Sequence, residues 1–334
     1  MTSTMLKKTL AALAASTALV TASQAVAEEI TVAYFLEWPM PFEYAKQMGT
    51  YDEEMGVKVN WRAFDTGTAM SAAMASGDVQ IAVSQGVPPF VVATSAGQDL
   101  QTIAVAVSYS ENDNCVVRSD LEITKENAAD LAGKKVAVPL GTAAHYGFLR
   151  QMDHFGIDLS SLDIVDMAPP EGAAALAQGA VDMACGYGGG LNRMKEHGNV
   201  LLTGAEKEDL GILVFDVISA PAAFLAENPD LAAKFMKVTE DANDMWNEGS
   251  KQDEMIKVIA ADSGQDVETA ARDMSTFVFP SIDEQLSQKW LGGNAQTFMK
   301  GVSQVFLDAG SIPAARDNYD SAVNTGPLEA AKGM

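Results

Sequence analysis

Apolar and polar positions along this chain switch between two periods. Short runs rich in Val, Ile and Ala recur at 30–35, 57–61, 79–83 and 100–107, and stretches with helical spacing lie between them at 42–48, 68–75 and 88–95. A short apolar run followed by an amphipathic stretch is the βαβ signature, so the spacing predicts a parallel sheet with helices on both faces. The pattern restarts after 130–133, with strands at 135–138, 163–167 and 181–185 and helices at 144–155 and 171–178; a further strand, 114–118, precedes them. Segment 211–223 is extended again. From Pro229 onward the spacing is mostly helical, with apolar positions at Leu231, Phe235, Val238 and Ala242 and later at Phe298, Val302 and Phe306. The expected fold class is α/β, as two small lobes: 28–110 with 216–334, and 111–215.

Residues 1–27 stand outside this pattern. Lys7 and Lys8 precede an uncharged apolar run at 10–20, and Ala25-Val26-Ala27 has the small-x-small form of a cleavage site. The run is too short to span a bilayer, so it reads as a secretory signal peptide cut after Ala27. Its style is bacterial, the expected location is the periplasm, and the mature chain is expected to be soluble. That location disfavours ATP- or nicotinamide-dependent chemistry.

Charge narrows the partners further. The net charge is −23, and loss of 1–27 removes two lysines and no acid, which takes it to −25. Such a surface repels nucleic acid and anionic lipid. An anionic ligand would therefore need a local site made of dipoles and hydrogen bonds. Cys115 and Cys185 are the only cysteines. In an oxidising compartment they can form a disulfide, worth about 3–4.7 kcal/mol in the chain-entropy model; two buried thiols are the alternative.

In open α/β sheets, ligands lie beyond the carboxyl ends of the strands. Three strand-to-helix turns carry small hydroxyl and amide residues: Asp65-Thr66-Gly67-Thr68, Ser84-Gln85-Gly86, and 141–146 with Thr142, His145 and Tyr146. A helix start offers unpaired N–H groups and a positive dipole end, which suits an anion. Any one such turn is explained by ordinary capping; three at equivalent strand ends favour a binding site. A cationic end would want a carboxylate or an aromatic face. Glu37, Trp38, Tyr109, Glu111, Tyr187 and Asp216 are the candidates. Asp216 lies in an otherwise apolar strand and needs a partner, whether a ligand amine, a backbone amide or a lysine. Trp38 reads equally as a core residue. His145, His154 and His197 are the only histidines, and no H-E-x-x-H, G-x-S-x-G or S-x-x-K pattern occurs in the mature chain. The segment Gly186-Tyr187-Gly188-Gly189-Gly190 reads as a flexible cleft loop, since it lacks a P-loop lysine and G-x-G-x-x-G spacing. No catalytic group, metal or cofactor is expected.

Taken together, Val32-Ala33-Tyr34, Trp61-Arg62-x-Phe64-Asp65-x-Gly67, Gly77-Asp78-Val79-Gln80-Ile81, Lys135-Val136-Ala137-Val138-Pro139, His145-Tyr146, Pro169-Pro170 and Asp216-Val217 resemble the taurine-binding periplasmic proteins of ABC importers. These belong to a broader aliphatic-sulfonate and thiamine-precursor group. The resemblance implies a type II clamshell that closes on a small sulfonate or zwitterion and delivers it to a membrane permease, as a monomer. It implies Asp65, Thr66, Gly67, Ser84, Gln85, Thr142, His145, Tyr146 and Asp216 as ligand residues, with Asp216 facing the ammonium. Two segments depart from the family pattern. Phe35-Leu36-Glu37-Trp38-Pro39 replaces small polar residues, and Gly186-Tyr187-Gly188-Gly189-Gly190 replaces an aromatic-rich segment. A methylated ammonium, a pyrimidine-precursor enzyme on the same fold and a receptor-linked sensor remain alternatives.

Overall fold

A computed structural model describes residues 29–212 and 214–334. The expected signal peptide and its cleavage site lie outside the described residues. The first strands are β1 (Glu29–Phe35), β2 (Lys58–Phe64), β3 (Ile81–Gly86) and β4 (Leu100–Tyr109). Next come β5 (Asp113–Arg118), β6 (Lys135–Val138), β7 (Asp163–Asp166), β8 (Met183–Tyr187) and β9 (Gly198–Val200). The last is β10 (Val214–Pro221). They form two five-stranded sheets, ordered β2-β1-β3-β10-β4 and β7-β6-β8-β5-β9.

The two orders are the same. In each sheet the first three positions pair parallel, as βαβ units require. In each sheet the fourth position is an antiparallel strand. That strand is the one the chain forms just after crossing from the other sheet. After β4 the chain enters the second sheet as β5, and after β9 it returns to the first as β10. The sheets are therefore mixed rather than wholly parallel.

The helices are α1 (Phe42–Gln47), α2 (Thr50–Met55), α3 (Gly67–Ser76), α4 (Val87–Ser95), α5 (Ala143–Phe155), α6 (Pro169–Ala177), α7 (Gly188–Lys195) and α8 (Gly204–Asp209). The C-terminal part supplies α9 (Ala222–Glu227), α10 (Pro229–Asn247), α11 (Gln252–Ser263), α12 (Val267–Met274), α13 (Ile282–Leu286), α14 (Asn294–Asp308) and α15 (Gly326–Lys332). Strand β3 is buried along its whole length, as a central strand covered on both faces should be. The main apolar core is continuous from β1 and β3 through β10 to the near face of the second sheet, reaching Val136, Phe148 and Met183. A smaller core lies under α6 and α7, around Val116, Leu176 and Met194. Cys115 and Cys185 face each other in the β5–β8 register and are joined by a disulfide.

Three local expectations are corrected. Ser84-Gln85-Gly86 is not a turn but the end of β3, because β10 pairs with it at Gln85 and Gly86. Gly188, Gly189 and Gly190 are not a loop but the first turn of α7. The segment read as one helix at 42–48 is followed at once by a second, α2, after Gly49.

Candidate functional site

The register of β10 against β4 shifts between Asp216 and Val217. Such bulges re-aim a side chain and gather near functional sites. Asp216 is 2% exposed. The Tyr109 hydroxyl donates to its Oδ1 at 2.7 Å and the Ser84 hydroxyl donates to its Oδ2 at 2.7 Å. Trp38 Nε1 in turn donates to Ser84 Oγ at 2.9 Å. Hydroxyls thus stand where a backbone amide or lysine was considered. Burial pushes the Asp216 pKa up to about 7, the Ser84 and Tyr109 donors pull it back down, and the negative field of Asp113 adds a smaller push upward. Ser84 itself sits at φ 61°, inside a strand. A left-handed serine costs about 1–3 kcal/mol and persists only where its surroundings hold it.

Around Asp216 a small pocket is lined by Phe35, Trp38, Tyr109 and Tyr187, by Gly67, Gly86 and Pro89, and by Thr142 and Ala143. The ends of α3, α4 and α5 therefore meet there, drawn from both sheets. At α3, Thr66 Oγ1 accepts the Ala69 N–H at 3.2 Å, and at α5, Thr142 Oγ1 accepts the His145 N–H at 3.4 Å. Each cap leaves the N–H groups of the first two helical residues, Gly67 and Thr68 or Ala143 and Ala144, without an intrahelical acceptor. The third end differs. Pro88 and Pro89 occupy the first turn of α4 and carry no N–H, so this helix contributes an apolar ring and a dipole rather than a set of donors. The lining residues include no Lys, Arg or His. The pocket is tight, with about 10 Å³ in which the centre of a water fits. Four of its lining residues are aromatic.

A wider chamber of about 290 Å³ adjoins it, lined by Phe64 and Asp65 of the first sheet and by Pro169, Pro170 and Gly188–Gly190 of the second. Bonds cross between the two sides here. Tyr187 donates its hydroxyl to the Asp65 carbonyl at 3.0 Å. Arg193 Nη1 and Nη2 donate to Glu37 Oε1 and Oε2 at 2.6 and 3.0 Å. The Gly189 N–H donates to the Glu37 carbonyl at 3.2 Å.

The structure brings Trp38, Gly67, Tyr109, Thr142, Tyr187 and Asp216 to the central pocket, and Glu37 and Asp65 to the outer chamber. Thr66 is the α3 cap. Gln85 is fully buried and committed: its amide donates to Gly67 O at 3.1 Å and Ser71 Oγ at 2.6 Å, and its Oε1 accepts from Ser219 at 2.6 Å. It fixes the start of α3 against β3 and β10. His145 and Tyr146 are corrections, because both turn away from the pocket toward α14. His145 stacks on Phe306 at 5.3 Å, accepts the Gly141 N–H at Nδ1, and is pushed down to a pKa of about 4 chiefly by burial. Tyr146 packs edge-on to Phe298 at 5.8 Å and accepts from Arg150. Glu111 is spent on the Gly204 N–H at 2.9 Å. Phe277 and Arg193 were not read from the sequence. Phe277 lies 4.7 Å from the Trp38 ring, brought there by a segment that joins β4 only through an isolated bridge between Ser108 and Val278. No local spacing marks either residue.

Known proteins share this fold. The taurine-binding periplasmic protein of Escherichia coli K12 is 30% identical over 314 residues, covering 91% of this chain and 94% of the relative. Among solved structures, the alkanesulfonate-binding protein SsuA of Xanthomonas axonopodis pv. citri bound to MOPS has a TM-score of 0.71 at 20% identity, covering 87% of this chain and 96% of its own. The desulfurization enzyme DSZB has a TM-score of 0.65 at 14% identity, covering 92% and 99%. The fold is therefore shared by binding proteins and by an enzyme. The model for the family described as NMT1/THI5 like matches residues 40–248. With that match over more than half its length, the chain belongs to the NMT1/THI5-like family.

Proposed function

We propose that this chain is the solute-binding component of an ABC importer, and that it closes on taurine or a closely related small sulfonate zwitterion. The observation that carries this is one pocket holding a buried carboxylate, Asp216, together with the donor-bearing first turns of α3 and α5. A zwitterion is complementary to that pair. Its ammonium meets Asp216, and its three sulfonate oxygens meet the N–H groups at Gly67, Thr68, Ala143 and Ala144. Hydrogen bonds to charged groups contribute about 1.5–3 kcal/mol each, so a few of them reach micromolar affinity, about −8 kcal/mol. The pocket's small volume means that the ligand enters an opened cleft. The two lobes, 28–110 with 216–334 and 111–215, would part and then close over it.

The same reading puts the protein in the periplasm, exported by the leader cut after Ala27, as a monomer whose closed form docks on an inner-membrane permease. It assigns no nucleic-acid partner, cofactor or catalysis. In support, both cysteines are held in the disulfide and the His145 Nδ1 is committed to a backbone N–H. One specific observation favours a methylated amine as a second ligand class: Phe35, Trp38, Tyr109 and Tyr187 flank Asp216, and aromatic faces attract such cations. Calorimetry with taurine, its carboxylate analogue and its trimethylated form separates these. Taurine is expected to bind most tightly. Preference for the trimethylated form would move the assignment to the second class, and no binding by any of the three would overturn the reading.

A further inference from the structure

Segments 35–39 and 186–190 are in contact with each other, and that contact reaches the pocket. Glu37 follows β1 and adopts φ 55°, an unusual conformation for a residue with a side chain. It is held from both sides. Its N–H donates to the Ser263 carbonyl at 2.7 Å, at the end of α11, and its own carbonyl accepts from Gly189 at 3.2 Å. Its carboxylate takes the bidentate pair from Arg193, four residues further along the same helix. Helix α7 therefore grips Glu37 by backbone and side chain together.

That grip needs the glycines. A Cβ at Gly189 would lie 2.5 Å from Glu37 Cδ, and one at Gly188 would lie 2.7 Å from the Glu37 carbonyl oxygen and 3.2 Å from the Trp38 ring. The next residue along the chain is Trp38. Its ring packs between Tyr109, at 4.8 Å, and Phe277, at 4.7 Å, and its Nε1 reaches Ser84, which reaches Asp216. A short continuous path thus runs from Arg193 through Glu37, Trp38 and Ser84 to the carboxylate.

We propose that Glu37 and Arg193 form a clasp across the cleft that seats Trp38 as the lid of the Asp216 pocket. The clasp rests on the reading of the site as a ligand cleft. Glu37 and Arg193 act as positioning residues, and Trp38 is the one that closes over the ligand. An ion pair that is a third or more exposed on each side is weak by itself; its effect comes from where it holds the next residue.

The test uses E37Q, R193Q and the E37Q/R193Q double variant, with W38F to isolate the Trp38 emission from that of Trp61, Trp246 and Trp290. In ligand-free protein, acrylamide quenching of the Trp38 component is expected to rise several-fold in either single variant and no further in the double. With taurine as probe, the dissociation rate is expected to rise about fivefold with little change in association, since interface changes act mainly on release. Unchanged quenching in the single variants, or effects that simply add in the double, would overturn the clasp. If the wild-type protein binds no taurine, the assigned ligand class fails, while the quenching measurement still decides the clasp.

Discussion

The two sides of the cleft are built from different materials. On the first sheet the site is chiefly a set of side chains bonded to one another, Tyr109 and Ser84 to Asp216 and Trp38 to Ser84, joined by the first turn of α3 at Gly67. On the second it is mostly backbone: the start of α5 at Thr142 and Ala143, and the glycine turn that opens α7. A carboxylate facing a cation must be buried and held in place, which takes a hydrogen-bonded network. An oxyanion can be met by helix N–H groups that are already fixed by the fold. On the proposed reading, the difference teaches that each charged end of the ligand meets a rigid complement that needs no basic residue in the pocket.

Removing the charge on the first side should have the largest effect. D216N keeps the size of the side chain and is expected to weaken taurine binding about 50-fold or more, in line with loss of a charged hydrogen-bond partner. Calorimetry reads the loss, and an unchanged melting temperature separates it from unfolding. On the second side, A143P deletes one donor without disturbing the helix, because Pro is tolerated at the first helical position and Thr142 already has extended backbone, φ −97° and ψ 179°. A loss of about tenfold is expected from one missing hydrogen bond, again by calorimetry. Equal affinity in A143P would mean that the α5 end does not hold the anion.

Smaller effects probe the network. S84A and S84G both remove the hydroxyl between Trp38 and Asp216, and both should weaken taurine a few-fold. They should differ in stability: S84G relieves the left-handed strain and should be the more stable by about 1 kcal/mol, measured by urea unfolding. The pH dependence has two signs. The folded pKa of Asp216 is about 7, above the ordinary carboxylate value of 3.8, so between these pH values the folded state holds a proton the unfolded chain has lost. The stability this group contributes to the ligand-free protein is therefore complete below about pH 4 and is lost as pH rises through about 7. Asp113, pushed up to about 6 by burial, acts in the same direction. Taurine affinity should run the other way and rise through the same window, because the ammonium needs the ionised carboxylate. Melting curves and titrations from pH 4 to 8 check both.

Much of this arrangement was legible from residue order. The alternation of strand and helix spacing contains both βαβ halves, and Asp216 stands out as a charge in an apolar strand. What was not legible depends on distant partners. The Gly188–Gly190 run has poor helix propensity, yet it forms the start of α7 because only residues without a Cβ fit against Glu37 and Pro169. Gln85 and Gly86 belong to a strand because β10, some 130 residues later, pairs beside them. His145 and Tyr146 sit two and three residues past the pocket-lining Ala143, but their direction is set by Phe306 and Phe298 of α14. Pro88 and Pro89 were in plain view, and they mean that one of the three expected donor turns supplies few donors.

A structure of the taurine complex would test the central claim most directly. The expected density places the amine within hydrogen-bonding distance of Asp216 and the sulfonate oxygens on the first-turn N–H groups of α3 and α5. Taurine lodged instead in the outer chamber beside Arg193, with Asp216 still bonded only to Ser84 and Tyr109, would contradict it.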